Sequence, residues 1–278
     1  DVEEIFEVTG KLSGLGQSSP GTYRNHKAVM GEGGYVGIHI GDVNIAFANE
    51  KGLVVAEMVN GIIWGGIYLD KILNVHLNDS LYKDSRLRTE HERTALLPGR
   101  NYTELEHHWD LAYGYYQYWL PYVQGSGLPL LRESCIKLYN VFARGRLALT
   151  EYRYDEVLQQ LQVIRAELSK VAAVRAMNLL VSDVTVGNLD EDINNALVFL
   201  SQACGAVYGL QFTVQESGKP HLSYEQVKAY INELTAGHGL WEKQRLLGDE
   251  TMTGSLKYVA AQIGKTYGLT LNDVKRSY

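Results

Sequence analysis

The spacing of apolar residues along the chain changes near residue 50. Before that point, YVGIHIGDVNIAF (35–47) holds two short alternating runs on either side of Gly41-Asp42, a pair suited to a two-residue turn. A β-hairpin is therefore expected inside a Gly-rich N-terminal segment, residues 1–50. From Leu53 onward the period is helical, and residues 53–77 form one long apolar segment in which Gly61, Gly65 and Gly66 admit a close neighbour. A polar stretch (78–101) separates it from TELEHHWDLAYGYYQYW (103–119), where the helical period returns.

The later segments carry start signals. Pro129 sits in a first-turn position ahead of the stripe Leu131, Cys135, Leu138, Phe142, Gly145, Leu149. Val157, Leu161, Ile164, Leu168 and Val171 follow alternating steps of four and three, the seam of a packed bundle. Asn188-x-x-Glu191 and Ser223-x-x-Gln226 have the form of capping boxes, and a last helical pair is expected around 254–267 and 271–276. With short polar connections and little strand signal, the fold class is all-α: an antiparallel helical bundle, or two bundles side by side, over residues 51–278.

Thr103 and Glu106 also make a capping box, which places the helix start. Glu104 and Glu106 then lie in the first turn, where the helix dipole favours acids. At 100° per residue Glu104, His107, His108, Leu111 and Tyr115 share one side, and Leu105, Trp109, Ala112, Tyr116 and Trp119 another. Apolar groups surround the helix beyond its second turn, so an interior position is expected, with His107, His108 and Asp110 needing partners. Those partners are carbonyls and acids of neighbouring helices for the histidines and an arginine, Arg146 or Arg175, for Asp110. Alternatively Glu104, His107, His108 and Asp110 hold a divalent metal ion, since Glu-x-x-His is the spacing by which di-metal bundles present ligands. No second Glu-x-x-His exists, and TEHER (89–93) lacks the second histidine of a zinc-protease helix. Gly145 lets a neighbour close to Arg146, whose guanidinium can satisfy a carboxylate of the acidic helix.

Composition narrows the choices. The chain has 278 residues, 45% of them hydrophobic and 21% charged, as in an ordinary globular protein. A net charge of −6 without a Lys/Arg cluster argues against nucleic acid as a partner. GLVVAEMVNGIIWGGIYL (52–69) is interrupted by Glu57 and Asn60 and reads as a buried helix rather than a membrane span. Cys135 and Cys204 form no C-x-x-C motif and are expected to be buried thiols, with a bridge between them left open. Nineteen tyrosines and four tryptophans suit either a ring-rich helical core or glycan-binding surfaces. His221 and His238 are expected in solvated loops, with Trp241 plugging the bundle end. There is no G-x-S-x-G elbow, and GEGGYVG (31–37) is not a dinucleotide fingerprint, so catalysis ranks last.

E-H-H-W-D-x-A-Y-G-Y (106–115), preceded by Tyr102-Thr103, resembles the hallmark of a family of uncharacterised bacterial lipoproteins related to the imelysins. KGLVVAEMVNGIIWGGIYLDKI (51–72), FARGRLAL (142–149) and LVFLSQACGAVYGLQF (197–212) resemble further segments of that family, about two-thirds of the chain in all. The resemblance implies an imelysin-like helical fold, export to the periplasm or outer cell surface, and a lipid anchor outside this chain. It also implies a metal- or ligand-binding accessory role in iron acquisition or, less well, a peptidase. The imelysin Gly-x-His-x-x-Glu motif falls on Leu105, His107 and Asp110, with Leu for Gly and Asp for Glu. Leu111 and Gln202 stand where the closer family carries acids, which weakens a metal site here. Trp109, Arg146 and Ser201 are expected as ligand-binding residues or buried polar partners.

Overall fold

The computed structural model describes residues 26–36, 46–124 and 127–275. A small antiparallel sheet pairs β1 (Gly34–Val36) with β2 (Ala46–Ala48), Tyr35 opposite Phe47. The strands flanking the expected hairpin thus pair as anticipated, while the Gly41-Asp42 turn lies outside the described residues. Val36 and Ala48 are buried in the same core as the helices, so this sheet is a flap on the bundle.

Among the described residues everything after Val54 is helical or connecting, and the fold is all-α. Within the apolar segment 53–77, residues 55–76 form one unbroken rod with two kinds of winding. α1 (Val55–Ile62) passes into π-helical Ile63–Ile67, a single turn α2 (Tyr68–Asp70) and π-helical Lys71–His76. The polar stretch contains two short helices, α3 (Asp79–Lys83) and α4 (Ser85–Glu92), capped by Asn78 and Asp84. Then come α5 (Glu104–Gln124), α6 (Pro129–Thr150) and α7 (Tyr154–Val181). The chain continues through α8 (Asp183–Glu191), α9 (Ile193–Gly209), α10 (Tyr224–Leu234), α11 (Lys243–Leu246) and α12 (Leu256–Tyr267). A 3-10 turn, Leu271–Val274, follows the left-handed Gly268 cap.

The centre of the bundle is α7 and α9. The α7 seam of Val157, Leu161, Ile164, Leu168 and Val171 is fully buried. Among the described residues Ile193–Phe212 is the one helix long and apolar enough to cross a membrane, and most of it is buried against its neighbours. The rod and α9 meet through glycine. A Cβ on Gly61 would lie 2.5 Å from the Gln202 carbonyl oxygen, and one on Gly205 would be 2.8 Å from Gly61 Cα and closer still to the Met58 oxygen. Gly209 faces Gly65 in the same way. Glycines at both faces let the two backbones touch, which confirms the room expected at Gly61 and Gly65.

Four local expectations are corrected. Asn188 lies inside α8, and α9 is capped by Asp192, whose carboxylate accepts from the N–H of Asn194 and Asn195. Cys135 is only half-buried because Ser134 takes the inward position, where it donates to Glu167; both cysteines are free. α5 is not surrounded: Asp110, Gln117 and Pro121 are exposed and Tyr118 is 70% accessible. Its tyrosines count as apolar in a periodicity argument but keep a polar tip that tolerates water. His221 is not solvated; burial lowers its pKa and its ring stacks on Tyr267, centroids 4.6 Å apart. His238 is exposed and Ser223–Gln226 is a complete capping box, both as expected.

Candidate functional site

The site is built on α5, and its buried face is the one the spacing gave. Leu105, Trp109, Ala112, Tyr116, Trp119 and Val123 all point into the core. The helix starts where Thr103 N–H donates to the Glu106 carboxylate at 2.9 Å, with the Thr103 hydroxyl 3.5 Å from Glu106 N. Trp109 is the anchor. Its indole N–H donates to the Phe142 carbonyl at 3.1 Å, and its six-membered ring occupies the space a Cβ on Gly145 would need. Gly145 therefore admits Trp109, and the α5–α6 distance is set by one indole ring.

That close approach brings Arg146 over the start of α5. Its Nε lies 2.9 Å from Asp110 Oδ1, its Nη2 3.2 Å from Glu106 Oε1, and Nη1 donates to the Thr150 hydroxyl. One guanidinium thus spans two carboxylates, half-exposed rather than buried. Burial works against ionised Glu106, but the bonds from Thr103 and the Arg146 charge outweigh it and hold its pKa below the ordinary carboxylate value. Arg175, the other candidate partner, instead lies 4.7 Å over the Tyr122 ring.

The four metal-ligand candidates do not converge. Asp110 faces Arg146, and His107 stacks on Tyr102 with centroids 4.8 Å apart. His108 turns the other way, its Nδ1 3.1 Å from Nδ1 of His76. Neither histidine bonds the carbonyls or acids first expected. Glu104 is near enough to His108 to favour its protonated form. Among the described residues no group of three or more His, Cys, Asp or Glu is placed to hold a metal ion. Ser201 is a buried polar partner: it accepts from Val54 N–H at 2.8 Å and donates to the Leu197 carbonyl, pinning the start of α1. His76 escaped sequence reasoning. It ends an apolar segment, and only the π winding, seen in Leu77 N–H donating to Ile72 five residues back, aims it at α5.

Along the outer α5–α6 face these groups frame a cleft of about 230 Å3. Trp109, Tyr113, Tyr139 and Phe142 form its walls, with Asp110 and Arg146 at one end. A second depression of about 380 Å3 shares Tyr113 and Tyr139 and adds Gln117, Gln124 and Asn140. The two are one aromatic groove with a charged end and an amide end. Tyr139 is 60% exposed, and Ile136 and Leu147 are also accessible on the same helix. A larger hollow of about 560 Å3 beside Tyr152 and Tyr154 is charged, but its arginines are already engaged. Arg153 pairs with Glu151 and Glu156, while Arg88 lies over the Tyr154 ring and donates to the Tyr82 carbonyl.

Neither curated proteins nor solved structures gave a match to this chain. A family profile described as "Domain of unknown function (DUF4856)" matches residues 1–270. The chain belongs to the DUF4856 family.

Proposed function

We propose that the protein is a ligand-binding accessory protein, exported and lipid-anchored as the imelysin-like resemblance implies, that takes neutral carbohydrate in the α5–α6 groove. The observation that carries the reading is the pairing of exposed and half-buried rings with hydrogen-bonding groups at both ends of one groove. Rings stack on the apolar faces of sugars, and fixed polar side chains sort the hydroxyls. Asp110 is half-exposed and bonds Arg146 through one oxygen, so its carboxylate retains acceptor capacity for a hydroxyl. Arg146 is already matched by two carboxylates, and the chain carries a net charge of −6, which disfavours an acidic ligand. Capture of a nutrient at the cell surface fits this chemistry.

Binding of neutral oligosaccharides, screened on a glycan array and measured by calorimetry, tests the reading. Tyr139→Ala is expected to weaken the selected glycan at least about tenfold with the fold intact, as loss of one stacking ring does. An array with no neutral glycan bound, or a glycan indifferent to Tyr139→Ala and Asp110→Asn, removes it.

A further inference from the structure

A second concentration of chemistry lies away from the groove, on another side of α5, and does not depend on the carbohydrate reading. His76 closes the π-helical end of the first rod and His108 lies in the second turn of α5. Their Nδ1 atoms are 3.1 Å apart, with ring centroids at 5.3 Å and planes tilted by 46°. Tyr115, two turns beyond His108 on the same side, also stacks on His76 with centroids 5.5 Å apart. His76 is 9% exposed; His108 keeps partial access to solvent.

A neutral imidazole has one N–H and one lone pair, so in this contact one Nδ1 donates to the other. Burial disfavours the charged form of both rings. It takes His76 down to about 4, with His108, Lys71 and His107 adding repulsion. For His108 burial again acts first, opposed by Glu104 and aided by His107. Neutral imidazole is the metal-ligating form.

We propose that His76 and His108 are a two-imidazole ligand pair for a borderline divalent cation such as Cu2+, Zn2+ or Ni2+. Metal–nitrogen bonds of about 2.0–2.1 Å meeting at about 90–110° put two ligand nitrogens about 2.8–3.4 Å apart, an interval that contains this pair's separation. Binding asks each ring to turn off the line joining them and the Nδ1 proton of the donor ring to move to its own Nε2. Both Nδ1 lone pairs then face the cation, and the moved proton stays on the donor ring's own Nε2. Imidazole nitrogen selects these metals over Mg2+ and Ca2+, which want oxygen. With two protein ligands, the remaining positions belong to water or a donor carried in with the metal, and affinity falls below that of a closed structural zinc site. Glu104 supplies the favourable field from α5; Lys71 and His107 oppose it.

The test is titration of the full chain with Cu2+, read by calorimetry and by the nitrogen hyperfine pattern in electron paramagnetic resonance. The expected result is one preferred equivalent of Cu2+ bound through two imidazole nitrogens. His108→Gln and His76→Gln should each weaken it about tenfold or more and remove one nitrogen, while His107→Gln removes no nitrogen and does not weaken it. Helicity by circular dichroism checks folding, and His108→Gln is the variant that disturbs packing less. Wild-type protein showing no imidazole nitrogen on Cu2+, or a folded His108→Gln with unchanged affinity and spectrum, overturns the proposal. Neither outcome touches glycan binding, whose test lies at Tyr139.

Discussion

Two helix pairs in this protein are closed by opposite means. The rod and α9 meet backbone to backbone through Gly61, Gly65, Gly205 and Gly209, with no space left between them. α5 and α6 also come close at one glycine, Gly145, but there the partner is the Trp109 ring, and rings and charges spread outward into an open groove. The first seam has no adaptable atom and can only hold the fold. The second is held at its base by one indole and presents side chains to water at its rim. The proposed binding is placed at the second because its outer groups can be replaced without unpacking the core.

That contrast can be broken by substitution. The largest effect is expected for Gly205→Ala, whose Cβ falls on the Met58 carbonyl oxygen and 2.8 Å from Gly61 Cα. Overpacking against backbone should cost about 3 kcal/mol, read as a shift in the urea midpoint. A loss under about 1 kcal/mol would show that the seam can open. Glu167→Ala comes next. The Glu167 carboxylate is nearly buried between the Ser134 hydroxyl and Lys137, but Lys137 is half in water and can resolvate. A destabilisation of about 1–2 kcal/mol is expected by the same measurement.

A smaller effect follows from acid. Burial opposes ionisation of both Glu106 and Glu167, yet Thr103 and Arg146 for the first, and Lys137 and Ser134 for the second, hold their pKa values below the ordinary one. A depressed folded-state pKa contributes stability that is present above the unfolded value, near about 4.3, and lost as pH falls through the folded value. Urea midpoints taken from pH 6 down to pH 3 should therefore fall, and Glu106→Gln combined with Glu167→Gln should flatten the fall. The smallest change in stability is expected for Tyr139→Ala, within about 0.5 kcal/mol, because the side chain is mostly in water. If its loss cost as much as Gly205→Ala, the outer face would be structural and the groove reading would fail.

Much of this was legible in residue order. The buried face of α5, the α7 seam and the boxes at Thr103 and Ser223 follow from spacing, because 3.6-residue periodicity and capping are local to a few turns. Arg146 was readable as a partner of the acidic helix because Gly145 beside it announced a close neighbour. Other local readings failed for equally physical reasons. Asn188 looked like a cap, but Asp192, next to the α9 start, does that work. Cys135 and Ser134 exchange inward and outward roles because a one-residue step is 100° of helix and both are small. The tyrosines of α5 made an exterior helix resemble an interior one.

Residue order alone determined the helical class, most helix starts and the face each long helix buries, since these depend on neighbours within about eight positions. Tertiary structure alone decided which side chains meet. His76 reaches His108 across 32 positions through a stretch of π winding that a fixed 100° step misplaces, and Asp110 meets Arg146 across 36. Partner choice at that separation is set by how close two backbones can approach, and glycine sets that distance between the rod and α9 at Gly61, Gly65, Gly205 and Gly209 and between α5 and α6 at Gly145.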